Sequence, residues 1–449
     1  MALSPSSPWL SRGFYSLLNR FSIVFYGFLN VVFMFRMMTE EENGTWALFI
    51  TITTVMELTR NGLIRNPMIT FIASSTSQSE KYSVITASLI MHTIVVAIMS
   101  LAVLFGAVPM AKFWNAPQLD MLFYIYILRG FALIPCYHFE YIQHSRADFK
   151  GVFWGNSVRL APLGIYTMIV YLLNKPTSLV ELAMVQLIST IASAFVEYQY
   201  VKDVPLFYKK FDRSLVKKML SFGKYTLGTS ISSNVVRSTD SWMIGRMISL
   251  DAVASYNPAL RIANLVEVPT LAITNLVFPQ VSRKMRESGN KGIQDVYIKS
   301  VSLILAIMLP MMIPFYVLSD FIIEVIFTSK YSDAAPILRI TIFFMLILPF
   351  NRQFGTVVDA LKKPKLNFYL LVMMGILNVI LIYFLVQSMG LKGAAYGTLI
   401  SYLIILVINQ VILNKLYNIN TFKVFPAIWE WYKMGWNVGW RQFYKIIGR

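Results

Sequence analysis

Long apolar segments recur along the whole chain, and no other feature constrains its fold as strongly. A helix that crosses the hydrocarbon core of a bilayer needs roughly 20 consecutive apolar residues. About twelve segments of this kind are present, with approximate limits at 14–36, 46–71, 84–111, 118–139, 152–173, 178–200, 222–248, 252–278, 297–318, 332–358, 366–388 and 391–415. The pattern predicts an all-α, polytopic membrane protein.

The composition agrees with a membrane protein and argues against a nucleic-acid partner. Of the 449 residues, 56% are hydrophobic and only 14% are charged, with a mean hydropathy of +0.59, whereas soluble domains are about a quarter charged. A formal net charge of +18 could attract nucleic acid. The basic residues, however, lie mainly in short loops and near the C-terminus, as membrane topology requires.

The chain has one cysteine and three histidines, which argues against a metal site. The single cysteine, Cys136, excludes an internal disulfide and a cysteine-based metal cluster. His92, His138 and His144 are spread over two segments, so we expect neither a metal nor another cofactor. The N-terminus is short and polar and lacks a cleavage motif after its first apolar segment, which indicates that the first helix is retained.

The distribution of Lys and Arg among the loops predicts the orientation. Every second connection is the more basic one; these connections contain Lys81, Arg146 and Lys150, and the ranges 201–221, 283–291 and 362–365. Because short cytoplasmic loops carry an excess of Lys and Arg, we expect both termini to be cytoplasmic.

Two segments outside the spans have the pattern of surface helices. The connection 201–221 contains KKFDRSLVKKML, which reads as an amphipathic helix. The tail 417–449 places aromatic side chains on one helical face, namely Trp429, Tyr432, Trp436, Trp440 and Phe443. This arrangement is typical of an in-plane interfacial helix, for which a generic anchor is the simplest interpretation.

The two halves of the chain match each other at a nearly constant offset. Sliding 12–58 along 222–268 places Glu57 opposite Glu267 and Asn30 opposite Asp240, while QLIST (186–190) meets TLISY (398–402). We predict a six-helix lobe at 1–200, a cytoplasmic linker at 201–221, a second six-helix lobe at 222–416 and an interfacial tail at 417–449. A parallel repeat implies a pseudo-twofold axis along the membrane normal, with the cleft between the lobes as the expected substrate route.

Polar residues form stripes inside several spans, although a charge there costs about 2.5–3.5 kcal/mol. The stripe of span seven consists of Thr226, Ser230, Ser233, Arg237 and Asp240, at spacings of 4, 3, 4 and 3. The stripe of span eight consists of Asn257, Arg261, Asn264, Glu267, Thr270 and Thr274. The first lobe contributes Asn30, Thr54, Glu57, Arg60, Asn61 and Arg65, and other midspan arginines are Arg129, Arg159, Arg339 and Arg352.

Two interpretations of these stripes remain open. Arg237 could pair with Asp240, and Arg261 with Glu267 or Asp240, as neutral contacts between packed helices. Alternatively, the stripes line a hydrated cavity in which the surplus arginines bind an anionic group. We favour the cavity, because local pairing does not require polar stripes on consecutive helices, and arginine suits bidentate contacts with phosphate.

The sequence gives little support for an enzyme. The run Glu40–Glu42 could supply acidic catalytic residues in an external loop, but a solvated turn is the simpler interpretation. No P-loop, dinucleotide fingerprint or Ser/His/Asp spacing is present in the sequence.

The second half resembles a known family. The stretches that carry the resemblance are FGKYTLGTSISSNVVRSTDSWMIGRMISLDAVASYNPALRIANL (222–265), FPQVSRKM (278–285), YSDAAPILRI (331–340), ALKKPKLNFYLLV (360–372) and GLKGAAYGTLIS (390–401). They are similar to the polysaccharide transporter (O-antigen flippase-like) branch of the multidrug/oligosaccharidyl-lipid/polysaccharide flippase superfamily. The first half matches more loosely, chiefly through ELTRNGLIRNPMITFI (57–72).

The resemblance implies alternating access between two lobes and no catalytic chemistry. It implies a lipid-linked oligosaccharide as substrate, typically on undecaprenyl diphosphate, crossing a bacterial cytoplasmic membrane, with membrane lipids and glycan-assembly proteins as partners. It assigns a cavity-lining role to Asp240 and Arg261. The remaining site expectations rest on the polar stripes.

We expect three groups of residues to line the substrate cavity. The candidates for attracting the diphosphate are Arg237, Arg261, Arg60 and Arg65. The candidates for holding these arginines, and for coupling a proton or sodium ion, are Asp240, Glu267 and Glu57. The candidates for contacting the sugars are Asn30, Asn257 and Asn264.

Two alternatives stay open. A cation-coupled multidrug exporter of the same fold would favour acidic cavities, so the surplus of arginine counts against it. A membrane glycosyltransferase or glycan polymerase would usually need a sizeable external loop, which we do not find between the predicted spans.

Overall fold

A computed structural model describes residues 8–146, 148–208, 213–361 and 363–447, and all regular secondary structure in these ranges is helical. The α-helices are α1 Pro8–Met37, α2 Glu40–Arg60, α3 Asn66–Ser74, α4 Gln78–Phe113, α5 Leu119–Ser145, α6 Lys150–Leu172, α7 Leu179–Tyr198, α8 Arg213–Met247, α9 Leu250–Val266, α10 Val268–Val317, α11 Ser319–Phe327, α12 Ala334–Ala360, α13 Pro364–Met389, α14 Leu391–Tyr417 and α15 Val424–Ile447. A π-helical turn, Asn61–Arg65, separates α2 from α3, and short 3₁₀ turns cover Ser329–Tyr331 and Thr421–Lys423.

The prediction of an all-α membrane protein is confirmed, and each of the twelve predicted spans coincides with helix to within a few residues. By length and composition, eight of the described helices could cross a membrane; they include Phe14–Met37, Gln78–Phe113, Leu119–Ser145 and Leu391–Tyr417. The other predicted spans, 46–71, 152–173, 222–248 and 252–278, are those in which Arg60, Arg159, Arg237 and Arg261 interrupt the apolar run.

Helix α10 contains a sharp break that separates the eighth predicted span from the ninth. Gly289 adopts φ 56° and ψ −140° within it, a combination that is strained for residues with a Cβ atom. Helix α10 is thus interrupted by a kink at a glycine between 252–278 and 297–318.

The acidic run at the start of α2 caps that helix. Thr39 is the N-cap residue, and its backbone N–H donates to the Glu42 carboxylate at 2.9 Å, while the Glu42 backbone N–H donates to Thr39 Oγ1 at 3.2 Å. This reciprocal capping box satisfies two backbone donors at the helix start. Glu42 thus has a structural role in capping α2, which supports the interpretation of Glu40–Glu42 as a turn.

The chain forms two compact units that divide within α8. Unit 1 extends to Ser238 and includes Ser249–Val253; unit 2 comprises Thr239–Ile248 and the chain from Ala254 onward. Their boundary lies later in the chain than the predicted linker, 201–221. Close packing explains why the first part of α8 belongs to unit 1: a Cβ atom on Gly62 would lie 2.8 Å from Leu227 Cα, and one on Gly223 would lie 3.0 Å from Leu63 Cα.

The helix predicted within 201–221 corresponds to the first turns of α8, where Lys217 and Lys218 are exposed and Met219 is buried. Val201 and Val204 are buried in turns, and α8 already begins at Arg213. Met219, in the first turns of α8, is buried in a cluster with Met68, Ile85 and Ile142. This segment is therefore a packed continuation of unit 1; residues 209–212 lie outside the described ranges.

The tail is helical as predicted, and one face of it packs against the protein. Val424 and Ile428 of α15 are buried in the main apolar cluster of unit 2 together with Val301 of α10. Trp431 Nε1 donates to Ser302 Oγ at 2.9 Å. Trp429 and Trp436 are 62% and 70% exposed; the side chains of Trp440 and Phe443 lie outside the described part. The predicted aromatic face is thus divided: Trp429 and Trp436 point outward, whereas Tyr432 packs against the cluster.

Candidate functional site

A network of buried charges lies in unit 1, and it begins on α2. Glu57 and Arg60 are three residues apart, so they share one face of the helix. Their side chains form an ion pair, with Arg60 Nη2 2.5 Å from Glu57 Oε1, and Arg60 is only 1% exposed. Tyr126 on α5 donates its hydroxyl to the same carboxylate at 3.2 Å. Two predicted site residues are therefore brought together by one helical turn.

Helices α5 and α6 extend this network through a shared aromatic ring. The guanidinium carbons of Arg60 and Arg159 lie 5.1 and 4.8 Å from the centroid of the Tyr137 ring. Such contacts with an aromatic ring stabilise a cation that has been removed from water. The sequence shows Arg159 only as a midspan arginine. The fold places it in the same cluster as Arg60.

Two buried glutamates, neither anticipated from the sequence, complete the cluster. Glu140 lies 3.3 Å from His144 Nε2 and 3.9 Å from Arg159 Nη2. Glu197 on α7 is fully buried, with Oε1 3.8 Å from Cys136 Sγ. Both glutamates lie near the ends of predicted spans, where a charge looks like an ordinary solvated terminus. Glu140 could have been found from the sequence, because Tyr137, Glu140 and His144 are spaced along one face of α5.

We call this set of residues the buried charged cluster; it consists of Glu57, Arg60, Tyr126, Tyr137, Glu140, His144, Arg159 and Glu197. Several of its hydrogen-bonding atoms lack partners in the described part of the structure. Buried nitrogens without an acceptor there are Nε of Arg60, Arg159 and the neighbouring Arg65. Arg60 also lines a small cavity of about 10 Å³ with Tyr126 and Gly130, roughly the space for one water molecule. The cluster thus has unused donors for oxygen ligands.

The remaining predicted residues of the first half differ in their burial and in their hydrogen bonds. Asn61 accepts a hydrogen bond from the Tyr141 hydroxyl at 3.0 Å, and Arg65 is half-buried at the end of the π-helical turn. Asn30 on α1 is half-buried, and its Oδ1 atom has no hydrogen-bond partner among the described residues. Of the predicted set, Glu57 and Arg60 share a direct contact in unit 1.

In unit 2, Asp240 is the centre of a second polar contact. Its carboxylate is 3% exposed and accepts hydrogen bonds from the Tyr256 hydroxyl at 2.8 Å and the Thr398 hydroxyl at 2.6 Å. Asn378 donates to Thr398 at 3.0 Å. These residues come from α8, α9, α14 and α13, so Asp240 connects four helices through neutral donors.

Glu267 pairs with an arginine that was only a secondary candidate. Glu267 is 3% exposed and lies 3.3 Å from Arg352 on α12. Two helical turns further along α10, Thr274 accepts a hydrogen bond from Gln353 at 3.0 Å. The structure thus gives Glu267 a partner on a distant helix, where sequence reasoning considered Arg261.

The other candidates of spans seven and eight differ in exposure. Arg237 is exposed, Arg261 is half-buried, Asn257 is buried and Asn264 is exposed. The side chains of Thr226 and Ser230 lie outside the described part. The binding roles of these residues stay predictions, as does a single cavity that contains them.

Comparison with known proteins identifies relatives of this chain. The sequence profile of a family described as "Polysaccharide biosynthesis protein" matches residues 33–336, about two thirds of the chain. A probable low-salt glycan biosynthesis flippase of Haloferax volcanii is 26% identical over 186 residues, which are 41% of this chain and 39% of that protein. A putative O-antigen transporter of Shigella flexneri is 27% identical over 241 residues, which are 52% and 53% of the two chains. The matches thus cover about half or less of each relative's length.

Solved structures with the same fold are more distant in sequence. A multidrug resistance MATE family transporter in an inward-facing conformation superposes with a TM-score of 0.75 at 16% identity, covering 88% of this chain and 94% of that one. The lipid II flippase MurJ, in an inward closed conformation, superposes with a TM-score of 0.69 at 16% identity, covering 97% and 100%. These similarities establish the fold.

Proposed function

Because the chain belongs to the polysaccharide biosynthesis protein family, we propose that it carries a lipid-linked oligosaccharide across a membrane by alternating access. The observation that carries this proposal is the buried charged cluster in a chain of that family. Buried arginines in membrane helices are costly unless they serve binding or pairing. Here the unused Nε–H donors of Arg60, Arg159 and the neighbouring Arg65 favour binding an anionic head group.

The substrate that we propose is an oligosaccharide on undecaprenyl diphosphate. A diphosphate offers several anionic oxygens, and a guanidinium presents several N–H donors in a planar fork that matches them. The Nε atoms of Arg60, Arg65 and Arg159, which lack acceptors within the described residues, are available for such oxygens. Arg237 and Arg261 remain candidates for the same role.

Ion coupling is a separate part of the proposal. Asp240 accepts hydrogen bonds from two neutral hydroxyls, whereas Glu57 and Glu267 each have an arginine within ion-pair distance. A buried carboxylate that is held by neutral groups exchanges a proton or a small cation more readily than one neutralised by arginine. We therefore favour Asp240 as the coupling residue, with H⁺ or Na⁺ as the ion.

The proposed location is the bacterial cytoplasmic membrane, with both termini on the cytoplasmic side and export of the glycan for a cell-surface polysaccharide. The relatives from Haloferax and Shigella, a probable flippase and a putative transporter, support transport rather than catalysis. We propose no catalytic step for this chain.

A deletion strain tests the proposal. Loss of the protein should cause lipid-linked oligosaccharide to accumulate on the cytoplasmic face of the membrane, and the wild-type gene should restore export. An unchanged distribution of the lipid-linked sugar, with altered susceptibility to cationic drugs, would favour the multidrug exporter instead.

Arginine variants test the binding site in the same strain. Arg159→Gln and Arg261→Ala should each reduce export at equal protein abundance, since each removes a cation from a proposed substrate contact. Arg339→Gln is the matched control, because Arg339 is more than a third exposed and pairs with Asp320 at the surface. Wild-type export in Arg159→Gln, Arg237→Ala and Arg261→Ala alike would contradict an arginine site.

A further inference from the structure

Unit 1 contains a larger cavity that is lined by none of the residues of the buried charged cluster. Its volume is about 590 Å³, and it lies where the ends of α3 and α5, the start of α4 and the turn at Val204 meet. The polar residues that line it are Ser75, Gln78, Lys81, Ser145 and Arg146. Isoleucine side chains from α3, α4 and α5 supply an apolar wall. One side of the cavity is therefore cationic and the other apolar.

The length of α4 places this cavity at the level of the lipid head groups. With 36 residues, α4 is about 54 Å long at 1.5 Å per residue, whereas the hydrocarbon core is about 30 Å thick. Its first residues, QSEKYS (78–83), are polar, so the start of α4 extends beyond the core. The connections here belong to the basic set that we predict to be cytoplasmic.

The donors around the cavity match a phosphate group. An ammonium, a guanidinium and an amide line it, and these side chains commonly contact phosphate oxygens. Basic pockets between membrane helices on the cytoplasmic side bind anionic head groups. We propose that this cavity binds the phosphate head group of an anionic phospholipid, with the isoleucine wall against the first carbons of its chains.

A neighbouring carboxylate controls access to one of the two cations. Arg146 donates to both oxygens of Asp203, at 3.1 and 2.8 Å. A lipid phosphate must share or replace this bidentate contact. Glu80, beside Lys81, is directed back to the start of α4, where its carboxylate accepts from the Thr76 backbone N–H at 2.8 Å. Asp203 is therefore the acidic group that competes directly with the phosphate.

Native mass spectrometry of the purified, full-length protein tests the site, with phosphatidylglycerol or phosphatidylcholine as added lipid. We expect Lys81→Ala and Arg146→Ala each to weaken phosphatidylglycerol binding about five-fold, the effect of one basic residue at a membrane surface. Asp203→Asn should strengthen it, because Arg146 is then released. Lys202→Ala is the matched control: Lys202 precedes Asp203 and is exposed, but does not line the cavity.

Three results would overturn the inference. Lys81→Ala and Arg146→Ala could behave like Lys202→Ala, or phosphatidylcholine could bind as tightly as phosphatidylglycerol. Inorganic phosphate at millimolar concentration could displace the lipid, which would assign the site to a soluble phosphate. Thermal unfolding of each variant confirms that it is folded. Because lipid binding to the purified protein is measured without transport, its outcome is independent of the proposed function.

Discussion

Arg60 and its neighbours demonstrate how a charge is held inside this helix bundle. Its guanidinium is paired with Glu57 on the same helix and lies over the ring of Tyr137 on α5. Each interaction compensates part of the cost of removing the guanidinium from water. Pairing at i+3 could be read from the sequence, whereas the aromatic contact comes from a helix more than seventy residues away.

We predict that Arg60→Ala lowers the free energy of unfolding by about 3–5 kcal/mol, because it leaves the Glu57 carboxylate buried without its cation. Arg339→Ala should change it by at most about 1 kcal/mol, since the Arg339–Asp320 pair is exposed. Thermal and denaturant unfolding of the detergent-purified proteins measures both. Equal effects of the two substitutions would show that the Glu57–Arg60 pair is no more buried than a surface pair.

Asp203 should make a small contribution to stability that depends on pH. The hydrogen bonds from Arg146 lower the pKa of Asp203 below its ordinary value of 3.8. A lowered pKa stabilises the folded state above the ordinary value, and this contribution is lost as the pH falls through the folded-state pKa. The difference in melting temperature between wild type and Asp203→Asn should therefore be constant near neutrality and shrink below about pH 4. A difference that grows in acid would contradict the assigned direction.

At the scale of elements, the C-terminal helix α15 is a packed part of unit 2. The turn that precedes α15 is hydrogen-bonded to Gln294 of α10. Gln294 Nε2 donates to the Asn418 carbonyl oxygen at 2.5 Å, and Lys423 Nζ donates to Gln294 Oε1 at 3.0 Å. The tryptophans divide between two faces of the helix: Trp431 faces α10, and Trp429 faces outward. Their spacing alone does not reveal which face is covered.

Alanine substitutions of Trp431 and Trp429 should distinguish a packed tryptophan from an exposed one by their effects on the free energy of unfolding. We expect Trp431→Ala to lower the free energy of unfolding by about 2–3 kcal/mol, through lost packing and the lost hydrogen bond to Ser302. Trp429→Ala, which removes the same side chain from an exposed position, should change it by no more than about 0.5 kcal/mol. Unfolding monitored by circular dichroism compares them. A larger effect for Trp429→Ala would mean that the outer face is the packed one.

At the scale of the whole molecule, the chain is a multi-pass helical protein with two compact units. The boundary between units falls inside α8, because Gly62 and Gly223 allow the start of that helix to approach unit 1 closely. The internal repeat indicated a boundary at the preceding connection. A repeat in the sequence marks which helices correspond, whereas a compact unit is defined by the contacts that those helices make.

The orientation of the molecule can be tested with engineered cysteines. Cys136 is the only native cysteine and is buried, so Cys136→Ser gives a suitable background. A membrane-impermeant maleimide added to intact cells should label Lys175→Cys and Lys330→Cys, since both lie in the predicted external connections. Lys202→Cys should react only after the membrane is permeabilised. The opposite pattern would reverse the predicted topology.

The helical, membrane-embedded class, the twelve predicted spans and the charges within them can all be read from the sequence. Those properties depend on the local order of apolar and polar residues, which a single chain displays directly. Three contacts became visible only in the folded structure. Arg159 and Arg60 both contact the ring of Tyr137, Glu267 pairs with Arg352, and the tail packs against α10. The partners in each contact belong to different helices, and the rotation and neighbours of a helix are set by packing along its whole length.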